Sequence, residues 1–243
     1  MPEADALRRA ARRLQPLVGH RIEASSPNPR GLVTGVASAI DGRVLESVEA
    51  AGKHLLLRFE GGVVLRSHLR MNGRWRIDPA GAARAGSPWL VLRGGGFEAT
   101  QWEGPVLSLD PGPVRRLGPD VMDEGFDPLR TALSVRARGT RPLGEVLLDQ
   151  RVVAGIGNMW LSEALWQARL SPWRAAGETE PSAPTEALAW VSGAMRAAVA
   201  GRAGARAVYR RAARPCPRCG TAISSLGLGA MNRTAYWCPG CQP

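Results

Sequence analysis

All four cysteines of the 243-residue chain fall in two pairs near its C-terminus, Cys216-Pro-Arg-Cys219 and Cys238-Pro-Gly-Cys241, separated by 18 residues. The two-residue gap in each pair lets one tight turn present two sulfurs to the same ion, and two such pairs complete a tetrahedral site for one structural Zn2+. Two disulfides are the other use of four cysteines; the short gaps and the lack of a secretory signal argue against them. Between the pairs, Gly220, Gly227 and Gly229 interrupt short apolar stretches at Thr221 to Ile223 and Tyr236-Trp237. This pattern predicts a β-hairpin between two knuckles, a zinc ribbon over residues 208–243. A closed four-sulfur site folds a protein and leaves no open position for a substrate, so the chemistry has to lie elsewhere.

The charge balance points to a polyanionic partner. Lys and Arg number 32 against 21 Asp and Glu, a net charge of +11. Such an excess supplies the sequence-independent phosphate attraction of a DNA or RNA binder. Arginine dominates, Lys53 being the one lysine. No run approaches the ~18 apolar residues of a membrane span, and the N-terminus has no apolar signal core. The expectation is a soluble, cytoplasmic, nucleoid-associated protein with no membrane partner, acting as a monomer.

Along the chain, Leu7, Ala10, Ala11 and Leu14 recur at helical spacing with Arg8, Arg9, Arg12 and Arg13 opposite, which predicts an amphipathic helix over residues 3–14. From Gly19 to about Leu109 short β-type runs follow: 31–40, 43–49, 54–59, 63–67, 74–77, 89–93 and 97–103. Turns such as Asp41-Gly42, Gly61-Gly62 and Gly94-Gly95-Gly96 separate them, as in antiparallel hairpins of a sandwich or barrel. Residues 110–127, rich in Pro, Gly and acids, read as an interdomain linker, and 142–149, 158–168 and 185–199 carry helical periodicity. The chain is thus α+β: an N-terminal antiparallel β-sandwich with a flanking helix (1–115), a linker and helical DNA-binding domain (116–207), and the ribbon.

Several short constellations bear on chemistry. A small second residue such as Pro2 normally lets the initiator methionine be removed, leaving a secondary amine. An α-amino group titrates near ~7.7–8.0, so much of it is an unprotonated nucleophile at neutral pH. Such an amine can attack a sugar C1′, with Glu3 beside it as proton donor and acceptor. The alternative makes Pro2 an ordinary first residue of a helix and Glu3 a first-turn acid. Lys53, at the tip of the Gly52-Lys53-His54 hairpin, is either a phosphate contact or a solvated turn residue. In the polar loop from His68 to Gly73, Met71 is either a wedge between DNA bases or a core side chain. Around Gly155-Ile156-Gly157-Asn158 the sequence predicts a helix ending near Ala154, a tight turn and a second helix capped by Asn158, whose N-terminus would suit a phosphate. An ordinary helical hairpin is the alternative.

Taken jointly, these features resemble the formamidopyrimidine-DNA glycosylase and endonuclease VIII family of base-excision enzymes. The resemblance spans the chain: the Pro-Glu start, the Gly-Lys-His-Leu hairpin, Ser67-His68-Leu69, Leu117-Gly118-Pro119-Asp120, the helix-two-turn-helix segment around Gly155 to Asn158 and the ribbon. It implies a Schiff-base nucleophile at Pro2, an acid/base residue at Glu3 and a catalytic-site lysine at Lys53 that contacts phosphate beside the lesion. Asn158 and Arg233 would grip phosphates around a flipped nucleotide, and Met71, with Arg70 next to it, would enter the gap the base leaves. The partner implied is damaged double-stranded DNA, with single-stranded or bubble DNA left open. The oxidised-purine branch carries an Arg-Phe pair in the N-terminal domain and a long loop before the ribbon. Gln101 to Leu109 has no such pair, and about ten residues separate Val199 from Tyr209. Oxidised pyrimidines are therefore the expected substrates, although Ala4 and Ala6 stand where that branch usually has Gly and Thr. Two alternatives remain: an oxidised-purine glycosylase and a catalytically silent DNA-binding paralogue.

Overall fold

Helix α1 (Ala4–Leu14) forms where its periodicity places it, with Leu7, Ala10, Ala11 and Leu14 buried and Arg12 and Arg13 exposed. The computed structural model describes residues 2–82, 86–104, 106–230 and 232–243, and the chain forms two units, Met1–Arg116 and Leu117–Pro243. In the first unit α1 is followed by β1 (Glu23–Ser25), the short helices α2 (Pro29–Leu32) and α3 (Val36–Ile40), then β2 (Leu45–Ala51), β3 (His54–Phe59), β4 (Val63–His68), β5 (Arg74–Pro79), β6 (Leu90–Gly94), β7 (Phe97–Trp102) and β8 (Val106–Ser108). Two four-stranded antiparallel sheets result, in the orders β1-β6-β7-β5 and β2-β3-β4-β8. One apolar cluster joins them to α1: Leu7, Leu14, Leu45, Leu55, Leu57, Phe59, Leu65, Leu90 and Leu92 are all buried within it.

Residues 31–40, expected as a strand, are helical. Asn28 caps α2, its side chain accepting the Arg30 N–H at 3.0 Å, and Pro29 supplies a helix-compatible first residue. Gly31 packs so tightly that a Cβ there would lie 1.9 Å from the Trp89 carbonyl oxygen. Local capping and this close approach override the alternating apolar pattern.

In the second unit the order is α4 (Pro128–Arg136), α5 (Leu143–Leu148), α6 (Asn158–Gln167), α7 (Ser182–Val199), β9 (Ser224–Leu228) and β10 (Arg233–Trp237), the last two an antiparallel hairpin. Residues 117–127 are not a loose tether. Val121 and Met122 are buried, and the stretch runs beside the loop after α5 through a parallel bridge between Asp120 and Ala154. Helix α4, which no periodicity in the sequence announces, is capped by Asp127, whose side chain accepts the Arg130 N–H at 3.0 Å. No described helix is long and apolar enough to cross a membrane.

Candidate nucleic-acid interface and metal centre

The chain start is not the interior of a helix. Glu3 is the N-cap of α1 with extended backbone (φ −110, ψ 178), and its carbonyl accepts the Ala6 N–H at 2.9 Å. Pro2 precedes the cap, so it is not the first helical residue, and the first-turn acid is Asp5. Met1 lies outside the described residues. The Glu3 side chain is held in a buried setting, the residue being 4% exposed.

Two bonds tie the chain just after α1 to β2: Gly19 N–H donates to Leu45 O at 2.8 Å, and Gln15 Nε2 donates to Val48 O at 3.1 Å. At its far end β2 turns into β3. That turn is Gly52-Lys53, closed by the Ala51–His54 pair, with Gly52 at φ 55 as a two-residue hairpin with glycine first requires. Lys53 is 4% exposed, which excludes the solvated-turn alternative. Glu3 at the start of α1 and Lys53 at the tip of the β2–β3 hairpin are thus both buried.

Positive groups gather beside Lys53. The His54 and His68 rings meet edge to face with centroids 4.9 Å apart. Burial first, then the charges of His68, Arg66, Arg70 and Lys53, push the His54 pKa down to about 3. Burial first, then Arg70, Lys53 and Arg66, lower His68 to about 4. Both rings are therefore neutral at physiological pH. Because His68 Nδ1 accepts the Arg70 backbone N–H at 3.0 Å, the neutral ring carries its proton on Nε2 and offers a donor there. Arg70 adopts φ 51, and Met71 after it is 66% exposed, which rules out a core role. The turn is pinned by Gly73 N–H donating to Leu69 O at 2.8 Å.

In the second unit α5 ends at Leu148, not near Ala154, and a two-turn loop leads to α6. Gln150 organises this loop: its Nε2 donates to Leu148 O at 3.0 Å and Ile156 O at 3.1 Å, and its Oε1 accepts Gly155 N–H at 3.0 Å. Gly155 takes φ 99. The Leu117-Gly118-Pro119-Asp120 segment braces the same loop, with Gly118 N–H donating to Gln150 O at 2.9 Å and Ala154 N–H to Pro119 O at 2.9 Å. A Cβ at Gly118 would lie 2.7 Å from Arg151 O, so glycine is required by that approach.

Asn158 does not cap α6. The N-cap is Gly157, Asn158 is the first helical residue, and its Nδ2 donates across to Thr234 O on β10. That bond brings Asn158 next to Arg233, the first residue of β10. Arg233 also lines a cleft of about 390 Å³ with Arg141, Asp149, Arg151 and Leu228. Asp149 is held to Arg151 by two 3.0 Å bonds and lies 3.5 Å from Arg141; the Arg151 hydrogen bond is the main cause pulling its carboxyl down to about 2. A larger cleft of about 660 Å³, lined by Arg43, Leu56, Arg58 and Arg115, holds none of the residues singled out by sequence. Two of its three arginines already bond within the fold, Arg58 to Glu49 and Arg43 to Ala39 O and Glu60 O.

The sulfurs of Cys216, Cys219, Cys238 and Cys241 lie within 4.8 Å of one another, and all four residues are free thiols. Tetrahedral Zn–S bonds of ~2.3 Å place sulfurs ~3.8 Å apart, so the convergent set fits one zinc ion and not two disulfides. Two residues unmarked by any sequence signal tie the ribbon to α6. Glu163 accepts the N–H groups of Ala207, Val208 and Tyr209 at 2.8–3.0 Å, and Trp166 Nε1 donates to Cys216 Sγ at 3.4 Å.

Comparison with known proteins finds matches over the same regions. Residues 1–100 match the formamidopyrimidine-DNA glycosylase N-terminal domain, and residues 117–208 match the formamidopyrimidine-DNA glycosylase H2TH domain. The chain is 36% identical to the probable endonuclease 8 2 of Streptomyces coelicolor, covering all of this chain and 94% of that protein. It is 34% identical to endonuclease 8 1 of Mycobacterium tuberculosis over the full length of both, and 32% identical to the formamidopyrimidine-DNA glycosylase of Thermus thermophilus over all of this chain and 98% of that one. Among solved structures, the Lactococcus lactis Fpg in complex with abasic-site DNA superposes with a TM-score of 0.83 at 23% identity over 99% of each chain.

Proposed function

The chain belongs to the formamidopyrimidine-DNA glycosylase family of base-excision repair enzymes, and on that premise we propose that it removes oxidised bases, pyrimidines preferred, and cleaves the resulting abasic site through an imine on Pro2. The observation that carries this reading is the chain start. With Met1 removed, Pro2 lies ahead of the extended Glu3 cap, outside the helix, and both Glu3 and, on the β2–β3 turn, Lys53 are buried.

The mechanism follows from these groups. DNA phosphates dock on the cationic face, and the damaged nucleotide leaves the stack. Met71 fills the gap, Arg70 adds charge beside it, and Lys53 holds the phosphate next to the lesion, with the Nε2–H of His68 as a further donor. The Pro2 nitrogen lone pair forms the bond to C1′ as the bond to the base breaks. The base departs with the electron pair of the broken glycosidic bond and takes up the proton that the Pro2 nitrogen releases. Glu3 protonates the ring oxygen as the sugar opens to the iminium, and its carboxylate then accepts a proton in the elimination that expels the 3′ phosphate, followed by the 5′ phosphate. Asn158 and Arg233 hold the flanking backbone from the second unit. Cys216, Cys219, Cys238 and Cys241 hold one Zn2+, which supplies folding free energy to the ribbon and no catalytic step. The pyrimidine preference rests on the absence of an Arg-Phe pair between Gln101 and Leu109 and on the short stretch between Val199 and Tyr209.

Borohydride trapping on duplexes carrying an abasic site, thymine glycol, 5-hydroxyuracil or 8-oxoguanine tests the reading. A covalent adduct on abasic DNA attached at the Pro2 nitrogen, located by mapping the DNA-bearing peptide, is expected, with base removal lost in Glu3→Gln and abasic-site affinity kept in that variant. An adduct attached at Lys53 or at any other residue overturns the assignment, and tight binding with no adduct on any duplex makes the chain a silent DNA-binding paralogue. A ranking led by 8-oxoguanine moves it to the oxidised-purine branch.

A further inference from the structure

Helix α6 turns one face to the ribbon at a spacing of four residues. Asn158 Nδ2 bonds Thr234 O, Ser162 Oγ accepts Tyr236 N–H at 3.4 Å, and Trp166 Nε1–H points at Cys216 Sγ at 3.4 Å. Residues four apart on a helix stack on one side, so these three bonds form a single row from the start of α6 to the cysteine cluster.

The last rung touches the sulfur tetrahedron itself. Cys216 is 3% exposed, and its sulfur receives two N–H donors, the Trp166 indole and the Arg218 backbone amide, each at 3.4 Å. Trp166 is in turn fixed from the ribbon side: the Arg218 guanidinium lies 4.0 Å from its ring centroid and donates to Trp166 O at 3.0 Å. A cation over the ring draws electron density from the indole and strengthens its N–H as a donor. Four thiolates over-neutralise a divalent ion, so a donor and a nearby cation stabilise the negative centre and orient its ligand.

We propose that Trp166 is a positioning residue of the metal centre: its indole N–H bonds the metal-bound Cys216 thiolate and slows loss of the metal. The proposal rests on the four cysteines holding a divalent ion. It also makes the row through Ser162 and Asn158 a direct link between metal occupancy and the residue assigned to phosphate gripping. A packing role alone would be served by any flat aromatic side chain; the hydrogen bond needs the indole nitrogen.

The test uses the full chain loaded with cadmium-113 and, separately, with zinc. In the wild-type protein a scalar coupling from cadmium to the Trp166 indole proton is expected, alongside one to the Arg218 amide proton, which serves as an internal standard. Trp166→Phe keeps the ring under Arg218 and removes only the donor; it is expected to release zinc to a chromogenic chelator about tenfold faster. Coupling at Arg218 with none at Trp166 overturns the proposal, as does unchanged release from a folded Trp166→Phe. If that variant does not fold, the wild-type coupling decides alone. A wild-type chain that takes up neither ion overturns the metal reading itself, a result distinct from a loaded centre without the indole coupling.

Discussion

The two units hold their candidate site residues by different means. In the first, Glu3 and Lys53 stand at the ends of a helix and a hairpin that rest on one broad apolar cluster, with Leu55, Leu57, Phe59 and Leu65 fully buried. In the second, the ribbon's apolar cluster is small: Val208, Cys216, Ile223 and Cys238, flanked by Trp166, Ala207, Tyr236 and Cys241. Two of its four buried members are proposed metal ligands. Polar bonds take over where apolar surface is scarce, and Gln150, Asn158, Ser162, Glu163 and Trp166 all reach across to the main chain or to a sulfur.

Metal removal should break this contrast most visibly. A strong chelator is expected to abolish amide-exchange protection in β9 and β10 and to abolish binding to abasic-site DNA, because a site of this kind supplies the folding free energy of a small module. Amides of β2, β3 and β4 should stay protected. Loss of protection in all five strands together would mean that the sandwich does not stand on its own core.

Leu57→Ala should produce the converse, smaller effect. Leu57 is fully buried, and truncating such a leucine costs about 2–5 kcal/mol once the cavity is counted. Denaturant unfolding followed by amides of β3 and β4 should shift accordingly, with the zinc release rate unchanged. Faster zinc release in this variant would contradict the division of labour between core and metal.

Legibility in the sequence follows the same contrast. The cysteine spacing, the α1 periodicity and the strands β3 to β7 could be read because each depends on residues close in the chain. The hairpin lysine was visible, but its burial was not, since the surfaces that cover Lys53 come from elsewhere in the fold. Asn158 was the right residue type for a cap, yet the helix starts one residue earlier, from Gly157, and the Asn158 amide instead donates to Thr234 O, 76 residues away. Glu163 and Trp166 gave no signal, because their partners are backbone atoms and a sulfur that only tertiary folding brings near, and Gln150 bonds backbone atoms of its own loop, which no residue type marks. Helix α4 escaped notice because Leu129 and Leu133 sit on its exposed side and blur its amphipathic pattern.

The finest way to separate the units is acid. His54 and His68 have folded pKa values near 3 and 4, below the ordinary 6.5, because burial and nearby cations disfavour the charged rings. As pH falls below 6.5 the unfolded chain takes up protons that the folded rings refuse, so this contribution is complete above 6.5 and declines toward pH 3. Asp149 behaves differently: its carboxyl is lowered from 3.8 to about 2, chiefly by the Arg151 hydrogen bond, so its contribution is complete above 3.8 and lost only as pH falls through 2. Because Arg151 is exposed, that second effect is small. Acid should therefore loosen β3 and β4 between pH 6.5 and 4 while the α5–α6 loop keeps its protection. His54→Asn with His68→Asn should flatten the first slope and leave the second untouched. A slope unchanged by the double substitution would show that the neutral histidine pair is not what makes the sandwich acid-sensitive.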